Sequence, residues 1–371
     1  MTQENMEKNK LRSTHRCTIY DVARHAQVSP STVSHVLNGT ASITKGTRDR
    51  ILASVEALGY RPNANARALR QLHTKILGVI FSDISCEYYA TCITEIIRQA
   101  RQGGYVVLAS DQQYDNVALE ANIQALVERR VDGLIFVGGT MDEEYLEIAT
   151  HAGVPVVVAD RYVEGYPCVE FNNYETMRKL VGALFDAGYR RFGYVSEAPS
   201  RQQNLQMRYE GFLAGLKERG IPEKDLFVCL EESLNYSGKI PSAYKYFSNF
   251  FAHADRNQLP EVIVAVNDMI ALGVMNAALQ AGLRVPEDIA VVGFDNISLS
   301  AFSSPAMTTV EQDPYLLGRK CVEMMMEKIQ GNASPNVMLS QQIVVRKSAP
   351  IPDNCLSDNG LERVEASLRP S

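Results

Sequence analysis

Apolar residues fall at helical spacing in the first sixty positions. Ile19, Val22, Ala23 and Ala26 occupy i, i+3, i+4 and i+7, which puts one stripe on a short helix that Thr18 and Asp21 can start. Ser29 as N-cap and Pro30 at the first helical position restart the chain, because proline's missing N–H costs nothing there. Val33, Val36 and Leu37 then face inward, and Asn38-Gly39 ends the second helix. A third helix begins at Thr44, carries a stripe of Ile51, Leu52, Val55 and Leu58, and stops at Gly59. Three short helices around one core make a domain of roughly 45 residues, within the size that folds alone.

The texture changes twice after that. Residues 60–70 follow Arg61-Pro62 with an alanine-rich stretch that has no apolar stripe to bury, so it reads as a linker that becomes helical only when something orders it. From Ile76 onward, continuous apolar runs of strand length recur at 76–81, 105–109, 133–137, 154–159, 192–195, 262–266 and 290–294, with amphipathic helical patterns such as 89–101 and 119–129 between them. Alternating buried strands and helices predict parallel sheets covered on both faces, and their number predicts two such subdomains.

Two sets of polar residues stand out from these patterns. On the outer face of the second helix, Ser31, Thr32, Ser34 and His35 are short polar side chains suited to base edges in a major groove. A plain helical hairpin with a solvated polar face fits the same spacing. At the carboxyl ends of the strand runs stand Ser82-Asp83, Ser110-Asp111, Asp160-Arg161, Asn267-Asp268 and, after Phe294, Asp295-Asn296. Open α/β sheets bind ligands at that edge, and such groups suit a polyhydroxylated ligand whose hydroxyls must all be paired when buried. Asp and Asn in such places also serve as N-caps and turn formers. Arg208, in an amphipathic helical stretch, reads either as a cleft residue or as a solvated cation.

Charge sharpens the first set. Residues 1–75 hold 12 Lys and Arg against 5 Asp and Glu, whereas the rest hold 25 against 38, so a basic head precedes an acidic body within a net charge of −6. That asymmetry fits a polyanion-binding module on a separate domain. The seven cysteines, Cys17, Cys86, Cys92, Cys168, Cys229, Cys321 and Cys355, are scattered and never form a CxxC pair, which argues against a disulfide framework or a zinc site and for a reducing cytosol. No signal peptide, membrane anchor or run of bilayer length is read, no metal or cofactor is expected, and no HExxH, GxSxG or Walker-type GxxxxGK[ST] points to an enzyme.

With these residues in view, the chain over about 17–349 resembles the lac/gal repressor family of bacterial transcription regulators. The resemblance rests on Thr18-Ile19-Tyr20-Asp21-Val22-Ala23, Val28-Ser29, Thr32-Val33-Ser34, Gly59-Tyr60-Arg61-Pro62-Asn63, Val131-Asp132-Gly133-Leu134-Ile135, Pro155-Val156-Val157, Asn267-Asp268-Met269-Ile270-Ala271 and Val292-Gly293-Phe294-Asp295-Asn296, all in one order. It implies an α/β fold with two doubly wound parallel-sheet subdomains, like periplasmic binding proteins, preceded by a small all-α helix-turn-helix domain. The expected divisions are a disordered basic tail at 1–16, the helix-turn-helix domain at 17–61, a hinge helix at 62–75, a core at 76–350 and a flexible tail at 351–371. Within the core, 76–172 with 303–332 and 173–302 with 333–350 are the expected subdomains.

Carried over residue by residue, the resemblance implies DNA contacts from Tyr20, Ser29, Pro30, Ser31, Thr32, Ser34, His35 and Asn38, and from the hinge residues Asn63, Ala66, Arg67 and Leu69. Leu69 matches the leucine that the family wedges into the minor groove. His35 stands where many members have arginine. It offers one hydrogen bond at a time where arginine offers two, so operator preference departs here. The implied effector site comprises Ser82, Tyr88, Tyr89, Asp111, Asp160, Arg161, Arg208, Tyr236, Asn267, Phe294, Asp295 and Gln312. The expectation is a homodimeric, cytoplasmic repressor whose partners are operator DNA and a sugar-like effector, with no membrane. A nucleobase-responsive corepressor-type regulator is the alternative, and a sugar-binding transport component a weaker one.

Overall fold

The computed structural model describes residues 17–60, 73–112, 115–139, 143–197, 202–234 and 238–361 and divides into two compact units, 1–74 and 75–371. The expectations for 1–16, for Asn63, Ala66, Arg67 and Leu69 of the hinge, for Tyr236, for the side chain of Asn38 and for 362–371 lie outside the described residues.

The first unit holds α1 (Ile19–Ala26), α2 (Pro30–Asn38) and α3 (Lys45–Ala57). The Asp21 carboxylate accepts from the Thr18 N–H at 2.9 Å and from the Thr18 hydroxyl at 2.6 Å, which fixes the start of α1. Arg50 Nε donates to the Ala26 carbonyl at 2.9 Å and so ties α3 to the end of α1. Val22, Ala23, Ala26, Val33 and Ile51 are buried together, with Val36, Leu37, Val55 and Leu58 packed against them. Leu52, expected in the inward stripe of α3, is instead 47% exposed. Ile51 and Val55 already define the buried face, and the next position lies about 100° around the helix.

The second unit contains two six-stranded sheets. The first, in the order β11-β5-β4-β3-β1-β2, comprises β1 (Ile76–Phe81), β2 (Val106–Asp111), β3 (Gly133–Val137), β4 (Val156–Ala159), β5 (Cys168–Phe171) and β11 (Val337–Leu339), all parallel. Its helices are α4 (Glu87–Gln102), α5 (Asn116–Glu128), α6 (Glu143–His151) and α12 (Pro314–Ile329). The second sheet, in the order β12-β10-β9-β8-β6-β7, comprises β6 (Phe192–Glu197), β7 (Phe227–Glu231), β8 (Val262–Ala265), β9 (Ala290–Asp295), β10 (Thr308–Glu311) and β12 (Gln342–Val344), with only β12 antiparallel. With it go α7 (Asn173–Asp186), α8 (Gln203–Glu218), α9 (Lys239–His253), α10 (Asp268–Gln280), α11 (Ser298–Phe302) and α13 (Asp353–Asp358).

The chain passes between the sheets three times: after β5, after β10 and after β11. The expected subdomain limits therefore need correction. Residues 308–311 belong to the second sheet and 337–339 to the first, because strands this short carry too few apolar residues to be read as runs. The expectation of a flexible tail from 351 is also overturned as far as 361. Ile351, Cys355, Leu356 and Leu361 are buried in the core of the second subdomain, and Arg219 Nη2 donates to Asn359 Oδ1 at 2.6 Å.

Candidate functional site

In the first unit, the start of α2 is built from hydroxyls. Ser29 Oγ accepts from the Thr32 N–H at 3.1 Å and lies 2.7 Å from Ser31 Oγ and 2.8 Å from Thr32 Oγ1. Val33 is buried beneath, which leaves Ser31 and His35 exposed and Thr32 and Ser34 partly so. His35 Nδ1 is 2.9 Å from Thr40 Oγ1, which engages that ring nitrogen within the head. Tyr20, on α1, is 66% exposed. A helix whose first turns present only short polar groups can enter a major groove without steric conflict.

In the second unit, strand ends and crossovers converge on a cleft between the two sheets. It is lined by Cys86, Tyr88, Tyr89, Asp160, Glu197, Gln202, Asn204, Leu205, Arg208, Lys239, Asn267, Asp295 and Gln312. Asp160 follows β4 with φ 64°, and Asp295 ends β9 with φ 109°. Non-glycine residues are strained in that region, and the surrounding structure must hold them there. Arg208, reaching in from α8, is buried. Its Nε donates to Asn173 Oδ1 at 2.9 Å and its Nη1 to the Val266 carbonyl at 2.6 Å, while Nη2 lies 3.7 Å from Asp295 Oδ1. The guanidinium stacks 3.8 Å from the centre of the Phe294 ring. The solvated-cation reading of Arg208 is thereby excluded.

The crossovers tie into the same network. Gln312 Nε2 donates to Asp295 Oδ1 at 2.8 Å, and Gln341 Nε2 donates to Gln312 Oε1 at 2.9 Å. Asn204 Nδ2 donates across the cleft to Asp160 Oδ2 at 3.0 Å. Burial pushes the Asp160 carboxyl up to about 7 against the pull of Arg208, and burial likewise lifts Asp295 to about 6. Asp160 Oδ1 and the Tyr88 hydroxyl are buried without a hydrogen-bond partner. Polar atoms left so in a cleft are ready to meet the hydroxyls of a ligand.

Of the residues singled out from sequence, the cleft brings together Tyr88, Tyr89, Asp160, Arg208, Asn267, Asp295 and Gln312, with Phe294 beneath Arg208. Ser82, Asp111 and Arg161 are not part of its lining. Asp111 Oδ2 instead accepts from the Ile84 N–H at 3.3 Å, bracing the loop after β1 from the end of β2, and Arg161 Nη1 reaches the Gly139 carbonyl at 3.4 Å. Asn267 does both jobs, since its Oδ1 also caps α10 by accepting from the Ile270 N–H at 2.9 Å. Sequence reasoning missed Cys86, Glu197, Gln202, Asn204, Leu205 and Lys239. Glu197 was findable as the polar end of a strand, but Lys239 and Asn204 enter from helix starts that no strand pattern marks.

A three-helix unit with a polar, exposed second helix, carried in one chain with a two-sheet core around a polar cleft, defines a ligand-responsive transcription regulator. The comparisons make that class specific. The model for bacterial regulatory proteins of the lacI family matches residues 18–63, and that for a periplasmic binding protein-like domain matches 181–349. Catabolite control protein A of Priestia megaterium is 32% identical, with 89% of this chain and 98% of that protein covered. The HTH-type transcriptional repressor PurR of Photobacterium profundum is 30% identical over the same shares. Among solved structures, the lac repressor dimer bound to operator and the anti-inducer ONPF superposes with a TM-score of 0.78 at 27% identity, covering 90% of this chain and 99% of that one. The chain belongs to the lacI family of bacterial regulatory proteins. Among the described residues no helix is long and apolar enough to cross a membrane, and no group of His, Cys, Asp and Glu is placed to hold a metal.

Proposed function

We propose that the protein is a cytoplasmic homodimeric repressor, not an enzyme, whose affinity for a pseudo-palindromic operator is set by a sugar-type effector in the cleft. The observation that carries this reading is the bond from Asn204 to Asp160. It joins the two sheets through the very carboxylate that also keeps an oxygen unpaired for a ligand. A ligand inserted there binds the open and closed arrangements of the subdomains with unequal affinity, which is the condition for shifting their balance. The twist of the core then separates the two hinges and releases DNA. Ser31, Thr32, Ser34 and His35 read the half-site, and Leu69 wedges into the minor groove at the centre of the operator.

Pairing with a second copy is supported by the lac repressor, whose solved structure is a dimer bound to operator. The test is a thermal-shift screen of the full chain with sugars, sugar acids and nucleobases, since a ligand that binds only the folded state raises the Tm. Each hit is then added to an operator mobility-shift titration. A sugar that raises the Tm and alters operator affinity is expected. A nucleobase as the sole active compound would replace the sugar reading.

A further inference from the structure

The charges of the cleft select among sugars. Three carboxylates, Asp160, Glu197 and Asp295, face two cations, Arg208 and Lys239. Arg208 already donates to Asn173 and Val266 and pairs with Asp295. Lys239, at the start of α9, donates to Glu197 Oε1 and to the Leu234 carbonyl. The other oxygen of Glu197 accepts from Gln202 Nε2 at 3.5 Å. Lys239 and Glu197 are each 4% exposed, so the pair forms a dry wall of the cleft. Both cations are thus engaged by the protein, Arg208 beside Asp295 and Lys239 against Glu197, and neither is left over for a ligand. A ligand carrying a carboxylate or phosphate would be buried beside carboxylates with its natural counter-ion already taken.

We propose that Glu197 is a charge filter: by engaging Lys239 it withholds that ammonium from the ligand and restricts the cleft to uncharged sugars. The inference rests on the reading of the cleft as a sugar site, and the two fail separately. Glu197→Gln keeps the size and removes the charge; Glu197→Ala removes both size and charge. In each, Lys239 becomes an anion receptor.

The experiment uses the full chain and its two variants, with folding checked by the thermal transition. Calorimetry compares glucose with gluconate and glucose 6-phosphate, ribose with ribose 5-phosphate, and galactose with galacturonate. A parallel thermal-shift titration uses inorganic sulfate, with Glu197→Gln/Lys239→Met as control. Wild type is expected to take only uncharged sugars and to gain nothing from sulfate at constant ionic strength. The single variants should bind anions at least about tenfold more tightly than wild type, an effect lost in the control.

The inference is overturned if wild type binds a charged member as tightly as its neutral counterpart, or if the folded single variants respond to sulfate as wild type does. If neither single variant folds, the wild-type comparison of neutral and charged members decides. Failure of every sugar, charged or not, to bind wild type would count against the sugar reading, and the sulfate arm would still decide the role of Glu197.

Discussion

Arg208 is the residue on which the cleft most depends, and removing it has a calculable cost. Arg208→Met keeps much of the aliphatic stem but deletes the guanidinium. The Val266 carbonyl then loses its donor, Asn173 Oδ1 keeps Gln341 Nε2 at 3.3 Å but loses Arg208, and Asp295 loses the guanidinium beside it. Breaking a buried ion pair from one side costs about 3–5 kcal/mol, because the remaining charge is stranded. For a unit of about 300 residues that corresponds to a fall in Tm of about 5–8 °C.

The cost depends on pH in a defined direction. Burial already lifts the Asp295 carboxyl to about 6 despite the guanidinium beside it, and without Arg208 it rises further. A carboxyl held higher in the folded than in the unfolded chain is protonated on folding. Stability therefore declines as pH rises from the unfolded value near about 4 through the folded one. Differential scanning calorimetry should find Arg208→Met more damaging at about pH 8 than at about pH 5. Adding Asp295→Asn removes the stranded charge, so the double variant should recover at least about half of the loss. An equal deficit at both pH values, or a double variant no better than the single one, would refute this electrostatic account.

Other consequences are simpler. Leu356→Ala in α13 should cost about 2–5 kcal/mol in core stability, read by denaturant melts, because the side chain is 1% exposed; a negligible change would return that segment to a loose tail. Asp21→Ala removes the carboxylate that takes both Thr18 donors and should destabilise the head by about 1 kcal/mol, seen as faster amide exchange across α1. Leu69→Ala should weaken operator binding in mobility shifts while effector affinity, measured by calorimetry, stays nearly unchanged; equal loss of both would contradict the hinge reading. His35→Arg should redirect base preference in a selection from randomised half-sites, with the salt dependence of binding nearly unaltered.

How far the sequence reveals this molecule differs between its parts. The head is nearly all legible, because a cap such as Thr18 with Asp21 and a stripe such as Val22, Ala23 and Ala26 are local signals. The long inner strands are legible for the same reason. The strands at 168–171, 227–231, 308–311, 337–339 and 342–344 are not, since pairing with neighbours distant in the chain, rather than their own pattern, makes them strands. In the cleft, residues that end a strand, such as Asp160 and Asp295, could be located, whereas Lys239 and Asn204 come from helix starts. Asp111 and Asp160 look alike in sequence. The fold makes one a brace for the loop after β1 and the other a cleft carboxylate with an oxygen to spare.

The central claim is that occupancy of the cleft is coupled to DNA affinity. The most direct test titrates operator DNA with the full chain, with and without the ligand that most raises its Tm, in wild type and in Asp160→Asn. Wild type is expected to shift its operator affinity by at least about tenfold, a coupling of roughly 1.4 kcal/mol, while Asp160→Asn binds the operator normally and no longer responds. Operator affinity unchanged by a ligand that demonstrably occupies the wild-type cleft would contradict the account.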